Sequence, residues 1–80
     1  MFRRVYKKEK YEYTKEVIQI EELVKGSLII NLTNNNVFEV VSPPLFLYPE
    51  TCFQLMKNED LILRGFSEIE KDFSLLIKID

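Results

Sequence analysis

The chain has 80 residues, 46% of them hydrophobic and 30% charged, with two glycines, three prolines and a formal net charge of −2. That is room for one small domain with ample apolar material for a core, and the composition argues against wholesale disorder. A single cysteine, Cys52, excludes an intrachain disulfide, and the lack of any histidine excludes the ordinary zinc sites and the Ser-His-Asp and Cys-His nucleophiles.

The first fifteen residues, MFRRVYKKEKYEYTK, differ from the rest. They carry six basic side chains against two acidic ones, a net of +4, while residues 16–80 carry five against eleven, a net of −6. No apolar run follows this charged start as it would in a secretory signal, and Leu28–Ile30 is far short of the roughly 20 residues a membrane helix needs. Without disulfide staples, a domain this small suits a reducing compartment or stabilisation by oligomerisation or a partner, and a cytoplasmic protein is expected. Phe2, Tyr6, Tyr13 and Val17 are spaced so that a helix could run back to the start; read as a strand, Tyr11 and Tyr13 share a face. Arg3, Arg4, Lys7, Lys8 and Lys10, interleaved with Tyr6, Tyr11 and Tyr13, form a candidate surface for nucleic-acid phosphates and bases or for an acidic protein partner. The competing reading is an amphipathic segment with solvated lysines and aromatics packed on the domain.

In TKEVIQIEELVKG the apolar residues Val17, Ile20 and Val24 recur at helical spacing, Leu23 lies beside them, and Gly26 stands where a helix would stop. An N-terminal helix is expected there, although Ile18 and Ile20 also alternate as in a strand. SLIINLT and VFEVVS flank Asn34-Asn35-Asn36, and asparagine tolerates left-handed backbone, so a β-hairpin is expected with Leu28, Ile30 and Leu32 on one face. Ser42-Pro43-Pro44 must interrupt the sheet, because proline cannot donate to a ladder. TCFQLM, a turn at KNED, LILRGF and a last strand FSLLIKID follow, with Phe73, Leu75, Ile77 and Ile79 on one face of the last.

The fold expected is mainly β (α+β): a small barrel or bent antiparallel meander of about five strands with one N-terminal helix. Residues 1–15 would be a basic, aromatic arm or helix extension, and residues 16–80 the single domain.

Between the proline brackets of PPLFLYP, Leu45, Phe46 and Tyr48 are candidate protein-contact residues, because exposed aromatics make strong anchors. Their alternative role is a short edge strand feeding the core. Glu50, Glu59, Asp60, Glu68, Glu70 and Asp72 gather in the second half, where they keep strand ends soluble or imitate a polyanion. Cys52 reads as a small core residue. Gly26 and Gly65 stand alone, so the chain has neither a phosphate-cradling loop nor a dinucleotide fingerprint.

A short helix followed by KGSLIINLTNNNVFEVV, and a later LILRGFSEI with Arg64-Gly65, loosely resembles the Sm-like RNA-binding barrels. The resemblance covers about half of the chain and implies a five-stranded barrel behind an N-terminal helix. The chain departs from the pattern in its glycine-free turn, in Val40 where the second strand normally carries glycine, and in SPPLFLYPETCF, which lacks the RNA-contacting Asp and Asn.

The functional expectation is a small non-enzymatic protein-binding module, a regulator or inhibitor or an assembly subunit that works by surface occlusion. Its partner would be another protein or a second copy. The alternative is a nucleic-acid-binding barrel that uses the arm. No catalytic residue, cofactor, metal, membrane or small-molecule substrate is expected.

Overall fold

Short turns between β-rich segments make antiparallel neighbours of most of this chain. The computed structural model describes the backbone of residues 2–6, 9–13 and 17–79, and the side chains of 11–12 and 17–77. Among these described residues eight strands join one antiparallel sheet: β1 (Phe2–Tyr6), β2 (Glu9–Tyr13), β3 (Leu28–Asn31), β4 (Val37–Val40), β5 (Leu45–Leu47), β6 (Glu50–Lys57), β7 (Asp60–Gly65) and β8 (Phe73–Ile79). The order runs β1-β2-β8-β3-β4-β6; β5 also pairs with β6, and β7 pairs only with β6. Among the described residues one α-helix, α1 (Phe66–Asp72), lies between β7 and β8.

This corrects the expected five-stranded barrel or meander behind an N-terminal helix. The sheet is open, and the helix lies in the C-terminal third. Residues 17–24 are extended around a single 3₁₀ turn, Ile20–Glu22. The helical spacing there was misleading: Val17 and Val24 are exposed, whereas Ile18 and Leu23 are buried and Ile20 is half-buried. Three β-branched residues within Val17–Ile20 lower helix propensity. Side-chain bonds then fix the turn locally. The Gln19 N–H donates to Glu22 Oε1 at 2.8 Å. Ser27 Oγ accepts from the Val24 N–H at 3.1 Å and donates to the Glu22 carbonyl at 3.1 Å. Gly26 takes φ +100, a left-handed value that glycine adopts without strain, in a turn closed by Ser27 N–H to the Val24 carbonyl.

The hairpin at NNN is present. Asn31 Oδ1 accepts from the Thr33 N–H, Asn34 Oδ1 accepts from the Asn36 N–H, and Asn35 takes φ 62. The face expected for it is incomplete, because Ile29 and Ile30 point to opposite sides and both are fully buried. In β8, likewise, Phe73 is buried on one side and Ser74 and Leu76 on the other, while Ile77 is exposed. Clean alternation describes a sheet covered on one face; these central strands are covered on both.

Ser42-Pro43-Pro44 does interrupt the sheet. Val40 pairs with Leu55 and Leu45 pairs with Cys52, so residues 41–44 stand opposite only residues 53–54. β4 and β5 are thus one strand broken by a bulge along the same side of β6. The Val41 N–H donates to the Gln54 carbonyl at 2.9 Å. Ser42 Oγ replaces the missing ladder acceptor: it accepts from the Gln54 N–H at 3.0 Å and donates to the Pro43 carbonyl at 2.9 Å.

The main core cluster lies on one face of the sheet. Ile29, Val40, Phe53, Leu55 and Phe73 are covered there by Ile69 of α1 and by Ile18 and Leu23. Phe38 and Phe73 meet edge to face, ring centroids 5.7 Å apart. The helix was legible only as Phe66, Ile69 and Phe73 at i, i+3 and i+7, a pattern hidden between two strong strand signals.

Candidate functional site

The break at Ser42-Pro43-Pro44 separates β5 from the well-packed part of the sheet. β5 and the first residues of β6 form a hairpin closed by Tyr48-Pro49, with Leu47 opposite Glu50, Phe46 opposite Thr51 and Leu45 opposite Cys52. The Tyr48-Pro49 peptide is cis.

Position in the ladder decides what each side chain does. Phe46, Thr51 and Phe53 share the core-side parity, yet Phe53 is fully buried while Phe46 is 85% exposed, because the core ends before the hairpin does. Tyr48, at the turn, is 100% exposed, Leu47 is exposed and Leu45 half-buried. Phe46 to Thr51 line a shallow open depression of about 320 Å³. The protein-contact candidates Leu45, Phe46 and Tyr48 therefore come together on one protruding tip, with the last two offered to solvent. Leu47 and Pro49 were not singled out from the sequence; their signal was adjacency within the same proline-bracketed run.

The tip is tied down at its base. The Glu50 carboxylate accepts from the Ser67 N–H at 2.9 Å and from Ser67 Oγ at 3.1 Å, capping the first turn of α1. The N-cap residue itself, Gly65, has no side chain to offer, and a Cβ built on it would collide with the Glu50 carboxylate. The acidic residue and the glycine fit each other across the β6–β7 pair. Of the other acidic residues, Glu68 forms an exposed pair with Arg64 at 2.7 Å, while Glu59 and Asp60 lie at the β6–β7 turn. Cys52 is half-buried beside the tip rather than in the core.

The arm is a β-hairpin on the other edge of the sheet, not a helix extension. Arg3, Arg4 and Tyr6 lie on β1, and Lys10, Tyr11 and Tyr13 on β2; Lys7 and Lys8 lie outside the described residues. The register sets Phe2 opposite Tyr13 and Arg4 opposite Tyr11, but also Arg3 opposite Glu12 and Tyr6 opposite Glu9. β2 joins the sheet through Lys10–Glu12 against Ile77–Ile79 of β8. A short strand ladder explains this better than helical periodicity, since tyrosine and valine favour the pleated surface.

Among the described residues no group of three or more His, Cys, Asp and Glu side chains is arranged to hold a metal ion, and no helix is long and apolar enough to cross a membrane. Compared with known proteins, the chain matches no family model, no curated protein and no solved structure.

Proposed function

We propose that this chain is a small non-enzymatic protein-binding module whose contact surface is the β5–β6 tip, acting by occluding a partner's surface as a regulator, inhibitor or assembly subunit. One observation carries the reading: two aromatic side chains, Phe46 and Tyr48, stand in solvent on a hairpin held at its base by the Glu50–Ser67 contact. A domain this small gains stability by burying its large apolar residues, and of those exposed among the described residues Phe46 and Tyr48 are the two most exposed, at 85% and 100%, a cost in folding that a binding role accounts for. Aromatic anchors with few rotatable bonds are also what binding hot spots favour.

The test is affinity purification with the tagged chain and with Phe46→Ala/Tyr48→Ala, after both are shown to melt alike. A partner retained by the first and lost by the second supports the reading. Identical sets of retained proteins would overturn it.

The register of the arm favours a second reading, nucleic-acid binding, at one point: Arg4 lies opposite Tyr11 in an edge hairpin rich in basic and aromatic residues. Labelled single-stranded RNA and DNA titrated across a salt series, with and without residues 1–15, decides it. Binding that needs the arm and weakens steeply with salt supports this reading, and no binding at low salt removes it.

A further inference from the structure

We infer that the free edge of β7 pairs with the same edge of a second copy, in one defined antiparallel register, to join two sheets across a two-fold axis. This surface is separate from the β5–β6 tip, and the inference stands or falls independently of it.

The backbone of β7 shows which groups are available. In β6, the Gln54 carbonyl accepts from Val41 and the Gln54 N–H donates to Ser42, so Gln54 faces the β4–β5 side. Peptide direction alternates along a strand, so Phe53, Leu55 and Lys57 face β7, and their opposite residues Arg64, Ile62 and Asp60 bond back to them. Leu61 and Leu63 consequently turn their N–H and C=O groups outward. Among the described residues no strand pairs with that side. Natural edges are blunted by proline, bulges or mid-strand charge, and Leu61-Ile62-Leu63 has none of these. Leu61 and Leu63 are 56% and 46% exposed, and they share a face with Met56, itself at the surface.

Charge then selects the register. Asp60-Leu61-Ile62-Leu63-Arg64 reads with opposite charges at its two ends around an apolar centre. Two copies paired antiparallel about Ile62 place each Asp60 opposite the other copy's Arg64 and each Leu61 opposite the other copy's Leu63. In that register the pairs that exchange backbone hydrogen bonds are Leu61 with Leu63, the residues whose groups face outward. A slip of one residue sets outward groups against inward ones, and a slip of two breaks both charge pairs. Arg64 is held within its own chain, its Nε against Glu68 at 2.7 Å and its Nη1 donating to the outward Leu63 carbonyl at 2.8 Å, so on pairing this exposed guanidinium swings toward the other copy's Asp60 and leaves that carbonyl to the other copy's Leu61. The ladder ends at Arg64, short of α1. The occupant that fits such a strand is therefore another copy of it.

Sedimentation equilibrium of the full chain over a wide concentration range, with amide exchange at Leu61 and Leu63 read in parallel, tests this. A monomer–dimer equilibrium is expected, with exchange at those two amides slowing as the dimer fills. Asp60→Arg alone and Arg64→Asp alone put like charges opposite each other at both ends, and each should raise the dimer dissociation constant roughly tenfold. The double variant Asp60→Arg/Arg64→Asp restores opposite charges and should recover most of the affinity. A chain that stays monomeric at millimolar concentration overturns the inference. So does a dimer indifferent to the charge reversals, or one lost in Phe46→Ala/Tyr48→Ala but unchanged in the β7 variants.

Discussion

Glu50 links the contact tip to the core through one carboxylate. It is the first residue of β6, it caps α1 through Ser67, and it occupies the space that a side chain at position 65 would need. Glu50→Ala removes the cap, and Gly65→Ala, whose backbone at φ −75 suits alanine, pushes the carboxylate away from it. Each is expected to cost about 1 kcal/mol of unfolding free energy, the usual scale for loss of an N-terminal helix cap. The two changes remove the same interaction, so the double variant should cost little more than either single one. Urea denaturation of the four proteins checks this; simple additivity would mean that the cap is not what Gly65 protects.

At the scale of elements, two phenylalanines seven residues apart on neighbouring strands of one hairpin have opposite fates. Phe53 is fully buried in the core cluster with Ile29, Val40 and Leu55, and Phe46 is in solvent beyond the Ser42-Pro43-Pro44 break. Phe53→Ala should cost about 3–5 kcal/mol, enough to unfold most of a marginally stable domain, and Phe46→Ala within about 0.5 kcal/mol. Thermal melts followed by circular dichroism distinguish the two directly. A large loss from Phe46→Ala would place that ring in the folding core and withdraw it as a contact residue. The same contrast explains the helix. Ile69 buries itself against the sheet from the single apolar face of α1, whereas the 17–24 segment buries Ile18 and Leu23 from an extended chain, where helical spacing has no meaning.

Across the whole molecule, the sheet is organised around β6, which has neighbours along both sides, and it thins toward β1 at one edge and β7 at the other. Every residue of the described core cluster lies at or beyond Ile18. Removing residues 1–15 should therefore leave a chain that still unfolds in one cooperative urea transition, destabilised by loss of the β2–β8 pairing. Loss of cooperative unfolding would show that the arm is part of the core after all.

How much of this was legible beforehand follows from the range of each interaction. The Asn34–Asn36 hairpin, the break at Ser42-Pro43-Pro44 and the strand character of FSLLIKID could be read directly, because asparagine turns, proline chemistry and period-two alternation act within a few residues. The proline-bracketed run could be marked as a candidate surface for the same reason, but not as an exposed one. Whether Phe46 meets solvent or core depends on where a sheet built from distant strands comes to an end. Long-range pairing also overrode the helical spacing of Val17, Ile20 and Val24, and it hid α1, whose seven residues lie between strand signals. Strand order, the burial of both faces of β3 and β8, and the capping of α1 by Glu50 from seventeen residues away were decided by the tertiary structure alone. Local chemistry specifies where a chain turns, and only the assembled sheet determines which of its faces and edges are left for a partner.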